Sequence, residues 1–266
     1  MTKMDKSEYL NKLHGDILDI MDYIDDLCKK NQLKYYLIGG SLLGAVRHSG
    51  FIPWDDDLDI VMPREDFNKF VDLCQSHKMG NVYLRWVTTE KYYWQLFAKM
   101  CLKNTVFHES SVESGKTSGI FVDIFPLDSC DGYDWKMKVI KPFVSFCKTW
   151  LYKQSRGRSA LSSSFIHSLF LKITSLLKSR TNTHYAMFGS AYPIWKQTFK
   201  KEWLGEGTIM EFSGRKYLCP SNSHEVLKLT FGDDYMSLPS EEKRITHSPV
   251  RVVFKDGTEF VPTSNF

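Results

Sequence analysis

The sequence predicts an α+β protein: a mixed β-sheet flanked by helices, with a basic helical subdomain attached. Three observations carry that expectation. Short apolar runs of strand length alternate with longer amphipathic segments of helical period. Glycines and prolines fall at the junctions, where a strand gives way to a helix. From Lys136 to Arg180 the pattern turns helical, with ten Lys/Arg and no Asp or Glu.

Residues 5–30 space Leu10, Leu13, Ile17, Ile20, Met21, Ile24 and Leu27 mostly three or four apart among charges, which marks an amphipathic packing helix. Lys34 to Ile38 is an apolar and aromatic run stopped by Gly39-Gly40, and predicts a buried strand. Ser41 to His48 follows as a short helix. Leu58 to Met62 predicts the next strand, and Pro63 opens a helix through His77, because its fixed φ suits a first helical position. Tyr83 to Val87, Tyr93 to Met100 and Gly119 to Phe125 supply further strands. The helical stretch after Trp135 breaks near Gly157 and Ser162 to Ser164. Ile209 to Leu218 forms a hairpin turning at Ser213-Gly214, and Pro220 to Phe231 a last helix. The chain then divides into a catalytic core over 1–134, a basic helical insertion over 135–205, and a segment over 206–266 that completes the catalytic domain.

Composition excludes several classes. With 42% hydrophobic and 25% charged residues in 266, the chain can bury a full core and has no fibrous or disordered bias. Cys28, Cys74, Cys101, Cys130, Cys147 and Cys219 form no CxxC pair and no zinc spacing, as expected of buried thiols in a reducing compartment. The opening MTKMDKSEYLNKLHGDI lacks the apolar stretch of a signal peptide, and no window holds about 18 apolar residues in a row. A cytoplasmic protein without a membrane span is the expectation. Net charge is +4, yet subtracting the ten cations of 136–180 leaves 25 basic against 31 acidic residues. A chain so polarised presents one surface to anions. SFIHSLFLKITSLLKS suits an amphipathic helix at the inner face of an anionic membrane, and equally a helical unit packed on the sheet with a solvated basic face. No zinc knuckle or RNA-binding motif speaks for nucleic acid.

Chemistry concentrates in YLIGGSLLGAVRHSGFIPWDDDLDIVMPRED, residues 36–66. Gly39-Gly40-Ser41 sits between strand and helix. Glycines there let backbone N–H groups approach a phosphate, and the helix N-terminus adds positive potential. Ser41 can donate its hydroxyl or cap the helix. Asp55, Asp56, Asp57 and Asp59 then fall within five residues. Strand alternation sets Asp57 and Asp59 on one face, about 7 Å apart. So many carboxylates beside a buried strand repel unless cations neutralise them, and hard oxygen ligands suit Mg²⁺ or Mn²⁺.

A Gly-Gly-Ser turn, one short helix and then Asp-x-Asp on the next strand resembles the nucleotidyltransferase fold. There the serine side holds donor phosphates, the paired acids hold metal, and a later strand adds a third carboxylate. Asp123 in GIFVDIFPLD interrupts an apolar run, where a lone carboxylate is costly to bury. Asp128 competes with it, but follows Pro126 and is expected to cap a turn. The full stretch GGSLLGAVRHSGFIPWDDDLDIVMPREDF resembles the signature of the LicD family, phosphocholine transferases related to fukutin and fukutin-related protein. AKMCLKNTVF, GIFVDIFPLD and FGDDYMSLPSEEKR agree in family order, leaving 135–205 unmatched. The resemblance implies a CDP-alcohol donor, CDP-choline ahead of CDP-ribitol or CDP-glycerol. The implied acceptor is a sugar hydroxyl of a glycan or lipid-linked glycan, as in lipopolysaccharide, teichoic acid or capsule, and CMP leaves. Metal would lie on Asp57, Asp59 and Asp123, the donor on Gly39, Gly40 and Ser41. One of these acids, or Asp56, would accept the acceptor's proton.

Arg47, Lys99, Lys103 and Arg64 are further candidates for a donor phosphate, and His247 for acid/base work. A quaternary ammonium would call on aromatic faces, for which Trp54, Trp86, Tyr92, Tyr93 and Trp94 stand near the motif. Other reaction classes stay open. A true nucleotidyltransferase would release pyrophosphate. A metal-dependent glycosyltransferase also carries Asp-x-Asp, but after a longer nucleotide-binding unit. A silent binding module would not need all three acids.

Overall fold

A computed structural model describes residues 4–91, 93–109, 118–155, 162–178, 181–240, 242, 244 and 249–262; Tyr92, Gly157, Arg180 and His247 lie outside them. In chain order the strands are β1 (Tyr36–Leu37), β2 (Asp59–Pro63), β3 (Val82–Arg85), β4 (Ala98–Leu102), β5 (Val106–Glu109), β6 (Phe121–Cys130), β7 (His184–Ala186), β8 (Thr198–Lys200), β9 (Thr208–Phe212), β10 (Arg215–Cys219), β11 (Pro249–Val253) and β12 (Glu259–Phe260). The helices are α1 (Lys6–Asn31), α2 (Gly39–His48), α3 (Arg64–Ser76), α4 (Trp135–Ser155), α5 (Ser163–Thr174), α6 (Lys201–Leu204) and α7 (Ser223–Phe231).

The sheet runs β1-β2-β6-β4-β3, with β7 and β8 continuing from the far end of β6. Only the β2–β6 pair is parallel, so the sheet is mixed as expected. β6 is its axis, buried almost throughout, which its apolar sequence allows. α1 begins at Asp5, whose carboxylate accepts from the Glu8 amide, and ends at Gln32 in the left-handed region. Between those caps Leu13, Ile17, Ile20 and Ile24 enter the main core with the sheet. The β9–β10 hairpin turns at Ser213-Gly214, as predicted.

Four expectations shift. The Lys34–Ile38 run contributes only the two-residue β1. The run from Tyr93 becomes strand only at Ala98, because the Tyr93 hydroxyl donates to the Phe97 carbonyl and folds that stretch into a partly buried loop. β6 continues past Phe125 to Cys130 and takes in Pro126. A proline is tolerated there because the β4 ladder has ended at Ile124 and the β7 ladder starts at Asp128. Asp128 is therefore a strand residue rather than a turn cap. The segment 135–205 is also not wholly helical, since β7 and β8 return to the sheet.

The basic stretch forms α4 and α5, which close a second core. Met137, Val144, Cys147 and Leu151 of α4 and Ile166 and Phe170 of α5 meet Leu96, Cys130 and Phe188. No helix among the described residues is long and apolar enough to cross a membrane.

His167 of α5 ties this unit to the main core, edge-on to Trp86 at 5.0 Å and 2% exposed. Burial, helped by the charge of Arg64 and opposed by a hydrogen bond to the Gln95 backbone, lowers its pKa to about 4. The folded state thus prefers neutral imidazole, and below pH 6.5 the unfolded chain binds the extra proton. Stability is complete above that pH and declines by about 3 kcal/mol as pH falls toward 4. Denaturant titrations across this window should show the slope, and His167→Gln should flatten it.

Candidate active site

α2 starts at the Gly39-Gly40 turn. Its N-cap residue, Ile38, supplies no side-chain hydrogen bond, so the first amides face outward with the positive end of the helix. Gly39 has φ +58°, a conformation that favours glycine. Two carboxylates press on this turn. A methyl on Gly40 would stand 2.6 Å from Asp55 Oδ2, and one on Gly39 3.4 Å from Asp59 Oδ2. Ser41 locks turn to strand, its buried Oγ accepting from the Asp59 amide at 2.8 Å.

Strand register then builds a row across the sheet. Asp59 of β2 pairs with Asp123 of β6, and Asp123 with Lys99 of β4. Residues so paired share a face on neighbouring strands, about 4.8 Å apart. Lys99 Nζ lies 3.2 Å from Asp123 Oδ1 and 3.4 Å from Glu109 Oε1 of β5. It also stands 3.2 Å from the centroid of the Phe121 ring. Burial works against its charge, but the Asp123 and Glu109 carboxylates prevail and raise its pKa above the usual lysine value.

The other predicted residues take various places. Asp57 precedes β2 and is half-buried. Asp56 is 3% exposed, and its charge acts on His14 and Tyr9 of α1. Arg47 donates from Nη1 to the carbonyls of Tyr235 and Ser237, pinning the C-terminal matched segment onto α2. Its Nη1 is thus committed to backbone carbonyls. Arg64 forms a two-pronged pair with Asp128 at 2.8 Å, so both belong to one internal ion pair. Lys103 lies beyond the end of β4, about 13 Å from Lys99 by strand rise, and donates to the Gly80 carbonyl. It is not brought to the acids.

Among the aromatics, Trp86 and Tyr93 are core residues and Trp94 packs edge-on to Tyr152 of α4. Trp54 is stacked by the Arg244 guanidinium. Tyr192 lies within electrostatic range of the acids. Burial, then the charges of Asp59, Asp55 and Asp57, push its hydroxyl pKa up, and its ring meets Phe231 edge-on at 6.0 Å. The sequence carried no signal for it, and Glu109 had only its position just after AKMCLKNTVF.

The donor chemistry fits a hard divalent cation. Asp55 and Asp59 lie against a glycine turn at a helix N-terminus, and their charge would repel an anion there without a cation between. Among the described residues no three His, Cys, Asp or Glu already converge on one point. The carboxylate of Asp123 instead meets Lys99.

Residues 32–159 match the family described as LicD/FKTN/FKRP, nucleotidyltransferase domain. Over 260 residues the chain is 31% identical to the lipopolysaccharide cholinephosphotransferase LicD of Haemophilus influenzae, covering 86% of this chain and 92% of that protein. The chain belongs to the LicD family. The family match takes in the glycine turn, all four clustered aspartates, Lys99 and Asp123. Two shorter likenesses accompany it. The uncharacterized protein RT0683 of Rickettsia typhi is 35% identical over 112 residues, 42% of this chain and 34% of that one. The human ribitol 5-phosphate transferase FKRP is 46% identical over 44 residues, 16% of this chain and 9% of that one. The LicD-family relatives of named activity are thus transferases of phosphate-bearing groups.

Proposed function

We propose that this chain transfers phosphocholine from CDP-choline to a sugar hydroxyl of a cell-surface glycan and releases CMP. The observation that carries the reading is the near full-length similarity to a lipopolysaccharide cholinephosphotransferase, joined to the acid row beside the glycine turn. The Gly39–Ser41 amides and the α2 N-terminus hold the donor diphosphate. The acceptor oxygen attacks the phosphorus that bears choline. The bond from that phosphorus to the bridging oxygen breaks, CMP leaves with the bridging oxygen, and the hydroxyl proton passes to a carboxylate of the cluster. Asp57 and Asp59, with Asp123, would hold Mg²⁺ or Mn²⁺, which supplies neutralisation of charge on the transferring phosphoryl group. Lys99 places Asp123 and balances its charge. Tyr192, half-exposed and within electrostatic range of the acids, offers a ring face to the trimethylammonium group.

The likeness to a ribitol 5-phosphate transferase favours a second reading, the same chemistry with CDP-ribitol. CMP release from CDP-choline, CDP-ribitol, CDP-glycerol and CDP-ethanolamine, each with Mg²⁺ or Mn²⁺ and a crude glycan precursor, separates the two. The expected result is turnover with CDP-choline and none without divalent metal. Turnover confined to CDP-ribitol would replace the first reading with the second. Pyrophosphate as product would overturn both.

A further inference from the structure

We infer that the outward face of the α4–α5 unit is a docking surface for an anionic lipid bilayer. The segment from Trp135 to Lys201 contains no Asp or Glu, the first acid being Glu202. The inner stripe of α4 enters the second core, so the opposite stripe faces out. That outer stripe is not the polar surface a solvated helix presents. Trp135, Val139, Pro142 and Phe146 follow one another at four, three and four residues, a single helical line. Trp135 is 69% exposed, Val139 67% and Phe146 48%. Lys138 and Lys141, both exposed, flank the line. α5 and the short turn after it repeat the arrangement, with Phe165 on the helix and Leu176 in the turn exposed and Lys172 between them.

Charge selects the occupant. Aromatic and aliphatic side chains flanked by lysine, on helices whose only adjoining acid, Asp134, is held by the Met137 amide at the start of α4, match the interface of an anionic bilayer, where the apolar groups enter the headgroup boundary and the ammonium groups stay with the phosphates. A second copy of the chain fits poorly, because a two-fold interface would set Lys138 and Lys141 against their own copies. Nucleic acid satisfies the lysines but not Val139 and Leu176, which have no ring to stack on a base. The surface is independent of the donor reading, since it involves none of the acids.

The test is co-sedimentation of the full chain with two kinds of vesicle, phosphatidylcholine alone and equal parts phosphatidylcholine and phosphatidylglycerol. The chain should pellet with the mixed vesicles, stay in solution with phosphatidylcholine, and be released by high salt. Lys138→Gln with Lys141→Gln should weaken partition roughly twenty-five-fold, at about a factor of five per lysine. Trp135→Ser with Phe146→Ser should weaken it about tenfold or more at low salt. All four side chains are at the surface, and circular dichroism matching the wild type secures the fold. Equal partition to both vesicles, or to neither, would overturn the inference. So would variants that bind vesicles normally while lowering the mass of a lipid-free dimer, an outcome that would assign the face to a second copy.

Discussion

Asp59→Asn lowers transfer by about 10²–10³-fold while leaving the fold as stable as the wild type or more so. The two halves of this expectation come from different atoms. The structural link at this position is the Asp59 amide to Ser41 Oγ, which the substitution keeps. The carboxylate is what changes. It lies against the Gly39 turn, in a cluster with Asp55 and Asp57, and beside Asp123 on the next strand. Removing one negative charge from that cluster relieves repulsion in the folded protein, so asparagine should not lower the melting temperature. A site that is costly to the fold yet needed for turnover has the signature of function rather than architecture. CMP release and a thermal melt on the same preparation check both halves. Unchanged turnover would remove Asp59 from the site. A lost activity accompanied by a large drop in melting temperature would make its role structural.

What could be read from the chain follows the range of the forces involved. Local devices were legible: the stripe of α1, the Ser213-Gly214 hairpin, and the glycine turn followed by Asp-x-Asp each lie within a few residues of their partners. Asp123 was legible too, because a carboxylate inside an apolar run has a cost that demands a partner. The identity of that partner was not. Lys99 meets Asp123 only through the antiparallel register of β4 on β6, and Glu109 arrives from outside that sheet. Asp128 was misplaced because Pro126 suggested a turn, whereas β2 pairs past the proline on one side and the β4 and β7 ladders leave a gap opposite it on the other. Arg47 looked like a phosphate ligand from its place after the glycine turn, yet it meets carbonyls near residue 236, on a segment the local sequence says nothing about. Tyr192 comes within electrostatic range of the acids from more than 130 residues away in sequence, and no periodicity encodes that approach.

Lys99→Met is the substitution with the largest expected effect on stability. The ammonium is 4% exposed between two carboxylates, Asp123 and Glu109, and removing it leaves their charge in a site that excludes water. Breaking a buried pair from one side costs about 3–5 kcal/mol, which for a protein of this size lowers the melting temperature by about 10 °C. The pH dependence has a definite sign. A lysine whose folded pKa is raised above its ordinary 10.5 contributes fully below that value and is lost only as pH rises through the higher folded value. The deficit of Lys99→Met should therefore be constant across neutral pH, shrinking in strong alkali as the wild-type ammonium is lost and in acid as the abandoned carboxylates take up protons. Adding Asp123→Asn to the same chain should restore much of the loss, because the charge left behind goes with it. Metal separates two roles for Asp123. If that carboxylate also serves a divalent cation, Mg²⁺ or Mn²⁺ should raise the melting temperature of Lys99→Met more than that of the wild type, because the competing ammonium is gone. An equal rise in both proteins would confine Asp123 to its pairing with Lys99 and leave the metal to Asp57 and Asp59.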